Sequence, residues 1–434
     1  MTPSVSKDKG NKNYPNSKLI IAAAGSGKTT YIVQEALKAC ETLEPYKRVL
    51  ITTYTNECEQ EIKDRITKGR DGMPQNLIIQ TWFSFLLQHG VRPYQSVLFP
   101  ELHEKRITLF PKEGQSAPGT GESSLNHYFA NAKGFTKTKD CRIYKDKVSQ
   151  FVCKTIEKEK KEDQKSYVLD RIKGIFPKIY IDEAQDFAGY DLDFFEYLIK
   201  EGIDITFVGD LRQRTYLTHY SQKGKQKKGE QKGHRKDISD LFNQLKMRID
   251  EETLNASFRN CQEICDFANR IHGDKYKACN SRATENPEFD QKEYDKHHGI
   301  WIVHTLNVGK YIKTYSPTLL RHSSETDICG ISSCAVSNFG ESKGLTFNRV
   351  LIFPTNPIST WLKNPHPPSN NENKSKNKSD KSACLFYVAV TRARYSVAFV
   401  CDENTFQDLQ QKELFEEFGK LPYNFFDPHK MDVQ

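Results

Sequence analysis

Leu19-Ile20-Ile21-Ala22-Ala23-Ala24-Gly25-Ser26-Gly27-Lys28-Thr29 is a short apolar run that passes through a glycine turn straight into a helical pattern. The run reads as a strand, and Ile32, Val33, Ala36, Leu37 and Cys40 behind it share one helical face. Strand, glycine turn, Lys-Thr and helix in this order form a phosphate-binding loop in the context that motif requires. The glycines let backbone N–H groups turn inward around an anion, and the helix N-terminus adds its positive end. Ala24, Gly25, Ser26, Gly27, Lys28 and Thr29 are the predicted phosphate ligands, with Lys28 on the β and γ phosphates and the Thr29 hydroxyl available to Mg²⁺. Ala22 stands where the strict pattern has its first glycine.

Working outward, six further unalternated apolar runs recur at Val49–Thr53, Leu77–Ile79, Ile179–Ile181, Ile205–Val208, Val350–Phe353 and Val397–Val400. Runs of this kind, separated by helical patterns, predict an α/β fold with parallel sheets covered on both faces. The stretches Pro111–Ser124, Ser221–Lys236 and Ser369–Ser382 interrupt the pattern and are expected to be loops or insertions, because they carry too little apolar surface to order themselves. The Lys-rich run, with Lys223, Lys225, Lys227, Lys228, Lys232, Arg235 and Lys236, reads either as a phosphate-tracking segment or as a solvated insertion.

The strand Lys178–Ile181 ends in Asp182-Glu183-Ala184-Gln185-Asp186. Two carboxylates there can divide labour, Asp182 toward Mg²⁺ and Glu183 toward an attacking water; an acidic helix cap is the competing reading. The strand at Ile205–Val208 runs into Gly209-Asp210-Leu211-Arg212-Gln213, which sets an amide where a γ-phosphate or its water can be sensed, although Gly-Asp is also a common turn.

The chain has 434 residues, enough for about three structural units, with 37% apolar, 28% charged and 11% aromatic residues. That composition excludes a disordered chain, and no window carries the ~20 apolar residues of a membrane helix. Nor does the polar stretch Met1–Lys18 read as a secretory signal. Eleven cysteines without any C-x-x-C pair predict neither a disulfide framework nor a zinc ribbon, and fit a reducing cytoplasm. Cys261 and Cys265 are expected to be core residues. The net charge of +8 is compatible with a polyanionic partner and does not demand one.

Taken in order, the motifs resemble those of UvrD/Rep-type superfamily 1 helicases. Thr53-Tyr54-Thr55-Asn56, backed by Glu61, Ile62 and Arg65, is similar to that family's T-F-T-N motif, and Thr81-Trp82-Phe83-Ser84 to its next one. Leu254-Asn255-Ala256-Ser257-Phe258-Arg259, Ser342-Lys343-Gly344-Leu345-Thr346-Phe347 and Tyr387-Val388-Ala389-Val390-Thr391-Arg392-Ala393 continue the series.

The resemblance implies two RecA-like domains that use ATP and Mg²⁺, with single-stranded nucleic acid, most readily DNA, as the partner. It assigns Glu183 to water activation, Gln213 to coupling, and Arg259 and Arg392 to the γ-phosphate, for which an always-charged, bidentate guanidinium is suited. Thr29 and Asp182 take the metal, and Phe258 stacks on adenine. DNA contacts fall to Tyr54, Thr55, Asn56, Thr81, Trp82 and Lys343. Tyr54 and Trp82 are candidates to stack on bases, against the alternative that both rings are core.

Four departures accompany it. No glutamine occurs in Asn11–Ser17, where the family reads adenine; Leu217-Thr218-His219-Tyr220 replaces an aromatic-Arg-Gly continuation; Thr346 replaces a glutamate; and Lys343 follows Arg259 by only 84 positions, where larger members insert an accessory domain.

The expected organisation is a first RecA-like domain from 1–88 and 172–245, a mainly helical insertion at 89–171 whose helix Asp146–Glu162 faces solvent or phosphate, and a second RecA-like domain at 246–434. Small helicases of this type resemble the helicase subunits of bacterial anti-phage systems, Gabija among them, which implies a nuclease partner and a role in defence or repair. A regulatory ATPase that senses nucleic-acid ends and licenses a nuclease without unwinding is the alternative.

Overall fold

The computed structural model describes residues 16–68, 70, 72–110, 124–130, 140–214, 237–331, 334–365, 376–414 and 423–428. The Ser221–Lys236 run, the Leu217–Tyr220 departure, most of the Pro111–Ser124 and Asn11–Ser17 stretches and the first half of Ser369–Ser382 lie outside these residues; the second half, expected to be loop, instead begins the helix Lys376–Val390, which continues into the apolar run before the strand Ala393–Cys401. The chain divides into two compact units. The first comprises residues 1–21, 28–209 and 216–250, and the second comprises 22–27, 210–215 and 251–434.

Along the first unit run β1 (Lys18–Ile21), β2 (Val49–Thr53), β3 (Leu77–Thr81), β4 (Arg106–Phe110), β5 (Phe129–Ala130), β6 (Asp140–Tyr144), β7 (Lys178–Ile181), β8 (Asp204–Gly209) and β9 (Ile249–Asp250). Six of them form one sheet in the order β3-β2-β7-β8-β1-β9, with every pairing parallel. β2 is buried at all five positions, which is why its sequence does not alternate. The flanking helix Lys28–Thr42 buries Ile32, Val33, Ala36 and Ala39.

Between β3 and β7 the chain adds helices and a small three-stranded sheet ordered β4-β6-β5. The helix Val148–Asp163 corrects the expectation of a solvent-facing element: Val148 to Cys153, Thr155, Ile156 and Glu159 are buried, and only its carboxyl-terminal turns are charged and open. Charge counted over the whole helix concealed an amino-terminal half made of core residues.

The second unit carries β10 (Ala256–Ser257), β11 (Asn280–Ser281), β12 (Gly299–His304), β13 (Thr318–Arg321), β14 (Val336–Asn338), β15 (Phe347–Ile352), β16 (Ala393–Cys401) and β17 (Tyr423–Phe425). Its main sheet runs β14-β13-β15-β16-β12-β17, again parallel throughout. The central pair, β15 and β16, is sealed by Phe267 and Phe386 on Phe399. The fold is therefore the α/β class the sequence implied, with two parallel-sheet units. All seven predicted runs are strands of these two sheets.

Candidate functional site

β1 leaves the first sheet at Ile21, and the next six residues pack with the second unit before Lys28 opens the helix. Gly25 and Gly27 have φ of +69° and +81°, the left-handed region that favours glycine. At Gly25 space forbids a side chain as well: a Cβ there would lie 2.5 Å from Arg259 Cβ and 2.8 Å from Ser257 Oγ. The loop is pinned by its backbone, with Ala23 N–H donating to Leu254 O at 2.8 Å and Phe258 N–H donating to Gly25 O at 2.9 Å. The Ser26 hydroxyl is buried without a hydrogen-bond partner. An orphaned hydroxyl in a turn with two left-handed glycines fits a phosphate oxygen.

In the first unit, Thr29 Oγ1 donates to Asp182 Oδ2 at 3.2 Å, bringing together the two residues expected to hold the metal. Burial, reinforced by the Glu183 charge, pushes the Asp182 carboxyl up to about 6, and the Lys28 ammonium opposes the rise. Such under-compensated negative charge beside a hydroxyl suits a divalent cation. Mg²⁺ takes few protein ligands and keeps water and phosphate oxygens, so a hydroxyl and a carboxylate suffice; among the described residues no three or more His, Cys, Asp or Glu side chains are placed together to hold a metal ion.

Glu183 departs from ordinary backbone, with φ 54° and ψ 43°. Its N–H donates to Asp182 Oδ1 at 2.8 Å, and its carboxylate accepts a hydrogen bond from the Gln185 side-chain amide. Gln185 is fully buried against Gly209, where an added Cβ would meet Gln185 Oε1 at 2.5 Å. Gln185 thus fixes the carboxylate expected to orient water. Sequence reasoning gave it no role, although its position two residues after Glu183 was the available signal.

The second unit gathers the remaining polar residues. Asp210 accepts from Arg212 Nε at 2.9 Å and from Gln213 Nε2 at 2.9 Å. Arg212 also donates to Ala22 O at 3.1 Å and lies over the Tyr387 ring, 5.2 Å from its centroid. Its pairing with Asp210 holds the guanidinium firmly charged despite burial.

Gln213 Oε1 accepts from Arg392 Nη2 at 3.3 Å. Arg392 is 1% exposed and spends further donors on Val388 O and Leu345 O, while Arg259 Nη1 donates to Thr391 O. Gly25, Arg259, Thr391, Arg392 and Gln213 therefore form one connected group. Phe258 is partly exposed, with the Arg282 guanidinium 5.0 Å over its ring.

The nucleic-acid candidates of the first unit also converge. The Thr55 hydroxyl accepts from Cys58 N–H and caps the helix Asn56–Thr67, leaving Asn56 exposed at its first turn. Glu59 on that helix accepts from Thr81 N–H at 2.9 Å, tying the two motifs together. The Asp182 and Glu183 charges help to raise the neighbouring Cys58 thiol, behind burial as the main cause, so this helix start lies within electrostatic range of the acidic pair.

Tyr54 is half-exposed, edge-on to Phe83 at 5.7 Å, with Lys145 Nζ 4.6 Å from its ring centroid. Trp82 departs from expectation. It is fully buried among Phe85, Phe187, Phe194 and Phe195, and its indole N–H donates to Asp191 at 2.8 Å. A ring enclosed in this way cannot stack on a base, and the role expected for it is withdrawn. Lys343, half-exposed, sits in the turn between buried Ser342 and Gly344 of the second unit.

Residues 6–92 match the UvrD/REP helicase N-terminal domain, a span that includes the phosphate loop, Tyr54–Asn56 and Thr81–Trp82. No match emerged among curated proteins. Among solved structures the chain is similar to the arterivirus nonstructural protein 10 helicase in complex with DNA, at 11% identity and a TM-score of 0.36, over 92% of this chain and 64% of that one.

Proposed function

We propose, from the UvrD-type helicase domain carried by residues 6–92, that this protein is an Mg-ATP-dependent enzyme that moves along or unwinds single-stranded DNA. The observation that carries the reading is the paired acid: Asp182 hydrogen-bonded to Thr29, and Glu183 fixed by Gln185, directly beside Lys28.

The loop Ala24 to Gly27 and Lys28 bind the phosphates through backbone N–H groups and one ammonium. Bound Mg²⁺, held by Thr29 and Asp182, supplies charge neutralisation on the phosphates. Glu183 accepts the proton of the attacking water, and its fixed carboxylate spares the reorientation a mobile base requires. Arg259 and Arg392 set cationic charge on the γ-phosphate, Gln213 registers it through Arg392, and Phe258 offers a face to the adenine. Tyr54, Asn56, Thr81 and Lys343 engage the strand, with Tyr54 presenting the ring.

ATP hydrolysis measured with and without single-stranded DNA, beside forked-duplex unwinding in the same buffer, tests this reading. Stimulation with unwinding is the expected result. Stimulation without unwinding replaces it by the regulatory ATPase that acts on a partner nuclease, and no DNA dependence at all overturns the motor.

A further inference from the structure

β5 of the small sheet β4-β6-β5 is buried at both positions, and the β4–β6 pair alternates apart from half-exposed Leu109. Its parallel register sets Arg106 opposite Asp140, Thr108 opposite Arg142 and Phe110 opposite Tyr144. Ile107, Cys141, Ile143 and Phe129 point to the buried side, where Phe129 meets Phe151 of the helix Val148–Asp163. By the period of two, Arg106, Thr108, Phe110, Asp140, Arg142 and Tyr144 share the other face, and all six are exposed or half-exposed.

That face is not a uniformly polar, solvated one. It carries two arginines against one aspartate, and it ends in the Phe110–Tyr144 pair, edge to face at 5.5 Å. The residue after Tyr144 is Lys145, whose ammonium lies 4.6 Å from the Tyr54 ring centroid and 5.0 Å from that of Phe83. The basic groups and half-exposed rings of this face are thus joined through Tyr144 and Lys145 to the tyrosine of the Thr53–Asn56 motif.

We propose that this outward face is a binding surface for single-stranded nucleic acid, continuing the strand path beyond Tyr54. Bases stack on Tyr144 and Phe110, and phosphates pair with Arg142, Arg106 and Lys145. The combination is the one that sequence-tolerant single-strand binding uses: π-faces for any base, and a cationic track for the backbone. The inference rests on the single-strand reading above and adds to it a second binding surface on the insertion, outside every motif of the helicase resemblance.

The test is fluorescence anisotropy of the full chain with labelled oligothymidylates of about 6 and about 20 nucleotides, the first near the lower end of the usual site size of about 4–16 and the second beyond its upper end. The double variant Arg106→Ala/Arg142→Ala and the single variant Tyr144→Leu are compared with the wild type, with thermal unfolding confirming the fold. Each variant is expected to bind the long oligonucleotide about tenfold more weakly and the short one within about twofold of wild type. The slope of log affinity against log salt for the long one falls by about 1.4 in the double variant, because two phosphates are no longer neutralised.

Unchanged affinity and slope in both variants overturn the surface. An equal loss on both lengths overturns it too, because the substitutions then act on the Tyr54 site itself. A wild type that binds neither length removes the single-strand reading and this surface with it, a result distinguished by being read before any variant.

Discussion

Gln213 accepts a hydrogen bond from the Arg392 guanidinium at 3.3 Å while its own amide donates to Asp210 at 2.9 Å. A side-chain amide is one of the few groups that can face a cation with its oxygen and an anion with its nitrogen at once. Replacing Gln213 with leucine breaks both bonds and leaves Arg392 and Asp210 each short of a partner. Loss of a hydrogen bond to a charged group costs about 1.5–3 kcal/mol, so turnover in the presence of single-stranded DNA is expected to fall about tenfold or more. Steady-state ATP hydrolysis with and without DNA checks it, and turnover within twofold of wild type removes the coupling role.

The acidic pair makes a sharper demand. Glu183→Gln is expected to lower hydrolysis about 10²- to 10⁴-fold, the range of a general base, while nucleotide still binds. Lys28→Ala loses hydrolysis together with phosphate binding. Gln185→Leu leaves the carboxylate in place but unheld, and is expected to show an intermediate loss. Hydrolysis and binding of a fluorescent nucleotide, measured side by side, separate the three.

At Gly25, alanine must adopt a left-handed backbone and push its Cβ into Arg259 and Ser257. Strain of this kind costs about 1–3 kcal/mol. The expected outcome is a lower unfolding temperature and a raised KM for ATP, because Arg259 has to move to admit the methyl group. Wild-type values for both rule out the tight approach.

For Trp82 the burial decides. Trp82→Ala opens a large cavity beside Phe195 and leaves Asp191 without the indole donor, so a loss of about 3–5 kcal/mol in stability is expected from chemical denaturation. The more conservative Trp82→Phe should leave DNA affinity per folded molecule unchanged, since the ring never meets a base. A strong and selective loss of DNA binding in that variant restores the stacking role.

His297 gives the second unit a pH dependence. Burial lowers its pKa from 6.5 to about 3, helped by the Arg349 charge, and the ring lies parallel to Tyr315 with the Tyr311 hydroxyl at its Nε2. The native state keeps the imidazole neutral while the unfolded chain protonates it, so stability is full above pH 6.5 and is lost as pH falls toward 3. By about pH 5 the loss attributable to His297 is about 2 kcal/mol. Denaturant titrations at about pH 7 and pH 5 should show this difference in wild type and a smaller one in His297→Phe.

The sequence alone determined the strand before and the helix after the phosphate loop, the parallel α/β class, and the local identity of each polar motif. Those features are written in short ranges: an apolar run, a glycine pair, a carboxylate at a strand's end. It did not mark β13, β14 or β17, whose runs are short or broken by polar residues, such as Arg321 and Asn338 at strand ends; β12 escaped prediction although its unbroken Ile300–Val303 run is as legible as the seven predicted ones.

What only the tertiary structure decided is which of those polar groups meet. Gln185 reaches Glu183 because Gly209, 24 residues later, leaves room for it. Trp82 and Tyr54, both aromatics at strand ends, divide into core and surface because four phenylalanines enclose one of them. Arg392 is buried with its donors on carbonyls and on Gln213, 179 positions away. Such outcomes depend on packing between distant segments, and residue type does not distinguish them: an indole or guanidinium can be buried only where distant segments supply the apolar contacts and hydrogen-bond partners that offset its desolvation.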